Sequence, residues 1–438
     1  LNNTKISFKE INRLAIPAIL AGIVEPLISL TDTLVAGRLP ENSEMALGAI
    51  GLAASFMSAL IWIFLQTSNA ISALVSHGVG ANQVKRLQNL VTQVLSFNLI
   101  VSVCLSVLAY FFASQIFSLY GAKGELLETC VRYFQIRVWG FPLTLLTFTL
   151  YGIFQGLQNT SWAMRISIIG GILNAVLDVL FVFVWNFDVE GIAWASLTAQ
   201  LVMFSLAIIY FLNKTPFKIG KIFPFHHDLK RTLSMSLDLF IRTLSLNFAL
   251  FLAFRFATLL GNGEESEFVA AHTILIQIWL FSSYLLDGYA HAGTAISGKL
   301  FGAKDLNRMK ILVKDLLKIM ILIGGILGIT YFIFTDFIAN SLTNSTEVQT
   351  IFKQVFWLVC VMQPINAVAF LFDGIYKGLG ETKVLRNVLV GAVIIGFIPF
   401  LLLFYNLDLG MLGIWLSFGT WMIFRSAGLF GHFRLKYS

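Results

Sequence analysis

Long apolar runs alternate with short polar intervals along the whole chain. Segments of mostly apolar residues recur at 14–36, 47–76, 88–113, 129–155, 163–185 and 190–212. After a polar interval they recur at 234–260, 267–297, 311–334, 347–376, 386–405 and 409–431. A helix that crosses a bilayer needs about 20 such residues, so the pattern predicts twelve spans. Several runs exceed that length, which implies tilt or a tail that projects past the bilayer.

Composition agrees: 57% of the 438 residues are hydrophobic and 12% charged, where a soluble domain carries about 25% charge. The fold class expected is an all-α integral membrane protein. The net charge of +7 suits basic loops on one side of a membrane better than nucleic-acid binding. One set of loops holds Lys5, Lys9, Arg13, Lys85, Arg86, Arg165, Lys214, Lys218, Lys221, Lys230, Arg231, Lys299, Lys304, Arg308, Lys310, Lys314, Lys318, Lys377, Lys383, Arg386, Arg434 and Lys436. The other set holds Arg38, Lys123, Arg132 and Lys353, with the acidic stretch GNGEESE at 261–267. The asymmetry places both termini in the cytoplasm. The N-terminal stretch shows no signal-peptide cleavage pattern, so the first apolar segment should stay in the membrane. Cys104, Cys130 and Cys360 have no metal-ligand spacing and read as small apolar residues.

The chain is written twice. GIFQGLQNT at 152–160 matches GIYKGLGET at 374–382, an offset of 222 residues. The same offset pairs Pro142 with Pro364, GA at 80–81 with GA at 302–303, and GI at 191–192 with GI at 413–414. The expected organisation is an N-terminal six-helix lobe at 1–212, a basic cytoplasmic linker at 213–233, and a C-terminal six-helix lobe at 234–438. The lobes should be related by a pseudo-twofold axis along the membrane normal, a plan typical of transporters that work by alternating access. A channel would show a repeated pore loop, and none is evident.

Charges inside spans are costly and point to function by default. Asp32 lies in the first span, two helical turns after Glu25, with Pro17 and Pro26 as candidate hinges. The alternative is that Asp32 ends the helix and faces external water. In span 5, Asn174 and Asp178 are four apart and share a face; they can hold a proton relay or a hard cation such as Na⁺. Span 6 offers Ser196 and Thr198. Plain interhelical hydrogen bonding is the competing reading for all four. Burial and a like-charged neighbour both oppose ionisation, so Asp32 and Asp178 in one pocket would suit proton coupling. In the second half, Arg242 or Arg255 with Asp287 or Asp373 reads as a structural ion pair. Arg255 falls within one residue of the repeat counterpart of Asp32. Candidates for a substrate cleft are Glu25, Met57, Tyr284, Asp287 and Asp373, since Met and aromatic surfaces adapt to apolar ligands and attract cations.

RLAIPAIL, EPLISLTDTLVAGRL, GLQNT and ILNAVLDVLF, on a doubled six-helix plan, resemble the MATE (multidrug and toxic compound extrusion) transporters over essentially the whole chain. LGAIGLA and the form of the first motif are most similar to the DinF branch. The resemblance implies an antiporter, not an enzyme, that exports amphipathic or cationic organic compounds in exchange for protons or Na⁺, with no other cofactor. It matches Asp32 to the branch's helix 1 acid, Pro17 to its kink proline, and Asn174 and Asp178 to its span 5 pair. Ser196 stands near a threonine of archaeal relatives, and Glu25 where a neutral polar residue is more usual. Another subgroup binds a cation through a carboxylate on span 7, where this chain carries arginines. The expected cycle protonates Asp32, rearranges its contacts with Asn174 and Asp178, bends helix 1 and expels the cargo. A monomer in a bacterial inner membrane is expected. The alternatives are a lipid or polysaccharide-precursor flippase and, less well supported, an intramembrane enzyme using Asp32 with Asp178.

Overall fold

A computed structural model of the chain describes residues 7–39, 43–260 and 267–437. Lys5, the acidic stretch at 261–266 and the side chain of Glu25 lie outside the described residues. Every described element is helical, as lipid demands of a chain whose backbone polar groups must be satisfied within each segment.

The first half comprises α1 (Phe8–Ala36), α2 (Ser43–Phe64), α3 (Gln66–Gly80), α4 (Gln88–Phe111), α5 (Ala113–Leu119), α6 (Gly124–Arg137), α7 (Gly140–Gly156), α8 (Ser161–Val179) and α9 (Val189–Lys214). The second comprises α10 (Leu229–Leu260), α11 (Glu267–Gly302), α12 (Leu306–Ile333), α13 (Thr335–Leu342), α14 (Thr346–Leu379), α15 (Thr382–Gly391), α16 (Ile398–Asn406) and α17 (Gly410–Tyr437). Among the described residues, 10 helical segments are long and apolar enough to cross a membrane, and the α6–α7 pair, bent by 46°, makes an eleventh. The twelfth segment read from the sequence is α17, 28 residues long. Its length suffices, but Arg425, His432, Arg434 and Lys436 dilute its apolar character.

The chain divides into two compact units. One runs from Ile16 to Ser236; the other takes the chain from Leu237 onward together with the start of α1 up to Ala15. The 222-residue repeat reappears as packing inside each unit. On α7, a Cβ at Gly152 would collide with the Ser68 carbonyl oxygen of α3, and one at Gly156 would lie 2.8 Å from the Ser72 carbonyl oxygen. On α14, a Cβ at Gly374 would collide with the Ala290 carbonyl oxygen of α11, and one at Gly378 with the Thr294 carbonyl oxygen. All four pairs obey the same offset. Small residues of this kind let helices approach closely where the solvent is itself apolar.

Between α9 and α10 the polar linker is tied back to α4. Gln93 Nε2 donates to the carbonyls of Ile222 (3.0 Å) and Pro224 (2.9 Å), and Gln93 Oε1 accepts from the His226 backbone N–H (2.9 Å). Thr92 and Asn89 accept from the backbone N–H groups of Gly220 and Lys221. A single buried glutamine thus satisfies one donor and two acceptors of a chain segment with no helix of its own.

Candidate functional site

The site is assembled on α8 by two adjacent glycines. Gly170 leaves room for the Met203 side chain of α9, and a Cβ at Gly171 would lie 2.8 Å from Val24 Cγ1 of α1. Both neighbours therefore pack close against α8. One and two turns further along, Asn174 and Asp178 point at what α1 and α9 bring: Asp32 and Ser196. Ser196 Oγ donates to Asp32 Oδ2 at 3.1 Å, and Asn174 Nδ2 donates to Ser196 Oγ at 3.3 Å. The Asp178 carboxyl lies beside that of Asp32, within hydrogen-bonding reach. Asp32 is 4% exposed and Asp178 fully buried, so Asp32 does not face external water.

A narrow cavity of about 20 Å³ opens beside this chain of groups, lined by Asn174, Ser196, Gln200, Thr144, Thr147 and Arg137 among others. Of its lining atoms, Asn174 Oδ1, Gln200 Oε1 and Arg137 Nη1 make no hydrogen bond among the described residues, and in the neighbouring cluster the same holds for Asp32 Oδ1 and both oxygens of Asp178.

Several members went unread in the sequence, among them Arg137, Tyr133, Thr144, Thr147 and Gln200. Arg137 lies within electrostatic reach of both Asp32 and Asp178, and Tyr133, one turn earlier on α6, reaches it with its hydroxyl. It stood inside the run 129–155, and a charge within a span was the available signal. Gln200 lies one turn after Ser196 and shares its face.

Other expected residues fall elsewhere. Thr198, about 200° around the helix from Ser196, is half-buried and does not line the cavity. Pro17 and Pro26 both lie inside the uninterrupted α1. Met57, expected in a cleft, is buried in an apolar core with Phe117, Phe134 and Phe141. Tyr284 and Asp287 are half-buried on α11, and Asp373 is buried on α14. Of the two arginines expected to pair, Arg242 contacts Asp373 Oδ2 directly. Arg255 is exposed and makes no ion pair among the described residues. The second cation on Asp373 is instead Arg425, its Nη2 2.5 Å from the same oxygen.

Long apolar helices in two units, with buried polar clusters among them, are the build of a polytopic membrane protein. The MatE family model matches residues 17–180 and 241–402, and the chain belongs to this family. It is 25% identical over 429 residues to the DNA damage-inducible protein F of Escherichia coli, spanning 97% of this chain and 91% of that one. It is also 25% identical over 433 residues to a probable multidrug resistance protein NorM of Mannheimia succiniciproducens, spanning 94% and 90%. The crystal structure of MATE in the bent conformation superposes with a TM-score of 0.89 over 98% of this chain and 95% of that one, at 23% identity. The family, the DinF-like character and the transporter fold expected from the sequence are all met.

Proposed function

We propose that the chain is a proton-coupled efflux antiporter for amphipathic organic compounds, working through Asp32, Asp178, Asn174 and Ser196. The observation that carries this reading is the buried meeting of two carboxyls on different helices. Two ionised carboxylates accept hydrogen bonds only, and neither can satisfy the other. A proton placed between them supplies the missing donor and removes one charge from a dry site. Loading and unloading that proton therefore changes what holds α1 against α8. Because α1 contains Pro17 and Pro26, each of which removes a backbone hydrogen bond, its path can respond locally.

Arg137 supports protons over Na⁺ as the coupling ion. A permanent cation within electrostatic reach of both carboxylates opposes the entry of a second cation beside them, by on the order of a few kcal/mol at an effective dielectric near 20. A proton carries its charge onto the carboxylate itself and forms a bond there. The driving force is adequate: one charge crossing 100 mV supplies about 2.3 kcal/mol. The reading includes a bacterial inner-membrane location with cytoplasmic termini, on the distribution of Lys and Arg.

The test is ethidium efflux from proteoliposomes under an imposed pH gradient or an imposed Na⁺ gradient. The pH gradient alone should drive efflux, and Asp32→Asn should abolish it while the protein still purifies as a folded species. Full efflux by Asp32→Asn would remove the mechanism.

A further inference from the structure

The second unit holds a separate cluster whose charges do not balance. Arg242 stands on α10, Asp287 and His291 on α11, Asp373 and Lys377 on α14, and Arg425 on α17. Asp287 and His291 are one turn apart, as are Asp373 and Lys377, so each pair shares a helix face. The close α11–α14 packing at Gly374 and Gly378 brings the two faces together. Asp373 Oδ2 is contacted by Arg242 and Arg425 at once. Asp287 lies within electrostatic reach of Arg242, His291, Lys377 and Arg425. Three cations thus face two carboxylates, a formal excess of one positive charge before any protonation of His291. The nearby Asp238 adds no counter-charge, because it is taken by Arg386 and Thr382.

The excess is visible atom by atom. The Nε groups of Arg242 and Arg425 are buried and make no hydrogen bond among the described residues. Arg425 is fully buried, and Lys377 makes no ion pair among the described residues. Unbalanced charge inside a membrane protein is expensive, and it marks ligand and ion pathways. The cluster is also accessible: Asp287, His291 and Lys377 are half-buried. Beside it on α11 lie the half-buried Tyr284 and the exposed Phe281.

We infer that this cluster is a binding site for the acidic group of an amphipathic organic anion, with Lys377 and Arg242 receiving the carboxylate and Tyr284 and Phe281 meeting its apolar body. A carboxylate supplies the missing negative charge and offers two oxygens, one of them to the unpartnered Nε of Arg242. Asp287 and Asp373, which alone would suggest attraction for cations, are outnumbered where they stand. The second unit therefore selects acids or zwitterions.

The inference goes beyond the proton-coupling reading and is tested without it. Thermal unfolding of the purified full-length protein is followed in detergent with 2-naphthoate or with 2-naphthamide, a neutral analogue of the same body. The acid should raise the melting temperature in a saturable manner and the amide should not. Lys377→Gln, a change at a half-buried residue without an ion pair, should weaken the acid at least tenfold. Asp32→Asn should abolish efflux and leave naphthoate binding intact, which separates the two ideas. No stabilisation by the acid, equal stabilisation by the amide, or undiminished binding in Lys377→Gln would each overturn the assignment.

Discussion

Arg137 brings a permanent positive charge to the wall of the cavity that Asn174 and Ser196 also line. With Asp32 and Asp178 both ionised, the three groups carry a formal charge of −1; with one proton shared, they are neutral. Removing the guanidinium changes that to −2 and −1, and a small hard cation with oxygen ligands becomes the natural compensation. Arg137→Gln should therefore make the protein Na⁺-responsive. Na⁺ should raise its melting temperature and stimulate ethidium efflux, neither of which is expected of the unaltered chain. An Arg137→Gln protein as indifferent to Na⁺ as its parent would show that the guanidinium does not exclude the ion. The variant keeps a polar group beside Tyr133 and Gln200, so its folding is not expected to depend on the charge.

Helix packing supplies a prediction in duplicate, because the repeat places the same contact in both units. Gly152 and Gly374 each leave no room for a Cβ against a carbonyl oxygen of the neighbouring helix. Backbone cannot move aside as a flexible side chain can, so α3 and α7, or α11 and α14, must separate. Gly152→Ala and Gly374→Ala should each destabilise by about 1–3 kcal/mol, read as a lower melting temperature in detergent. Gly51→Ala, where nothing stands within 4 Å of the added carbon, should be neutral or slightly stabilising, since alanine is the better helix former. These glycines were legible in the sequence as members of the repeated GI..GL motif, and the spans were legible because a bilayer demands long apolar runs. The break within α6–α7 was not: the run at 129–155 stays apolar through Val138 and Trp139, so hydropathy alone registers no bend there. Asp32, Asn174, Asp178 and Ser196 were legible because polar groups stand out in such runs. That Asp32 meets Asn174 and Asp178 was expected only through the family resemblance; the apolar pattern does not give it, since the approach depends on Gly170 and Gly171, which look ordinary until the helices they admit are known. Arg425 went unread as an ion-pair partner for the same reason: its match to Asp373 joins α17 to α14 across 52 positions of sequence.

At the scale of the whole molecule, orientation decides what the two charged sites can do. Basic residues crowd the loops on one side of the spans and are sparse on the other. The linker between the units contributes Lys218 and Lys221 to the basic side. Its hydrogen bonds to Gln93, Thr92 and Asn89 fix it to the end of α4, so its charges are held near one membrane face. A bilayer with the usual negative interior retains such segments on the inner side. A reporter that fluoresces only in the cytoplasm, fused after Ser438, should therefore light up, and a phosphatase that folds only outside should be inactive at the same position. The same pair inserted between Lys123 and Gly124 should give the opposite result. Agreement at both sites would direct the proton gradient inward through the Asp32 cluster and the cargo outward. A fluorescent signal at both sites would mean an even number of spans between them, and would displace either α17 or the bent α6–α7 pair from the membrane.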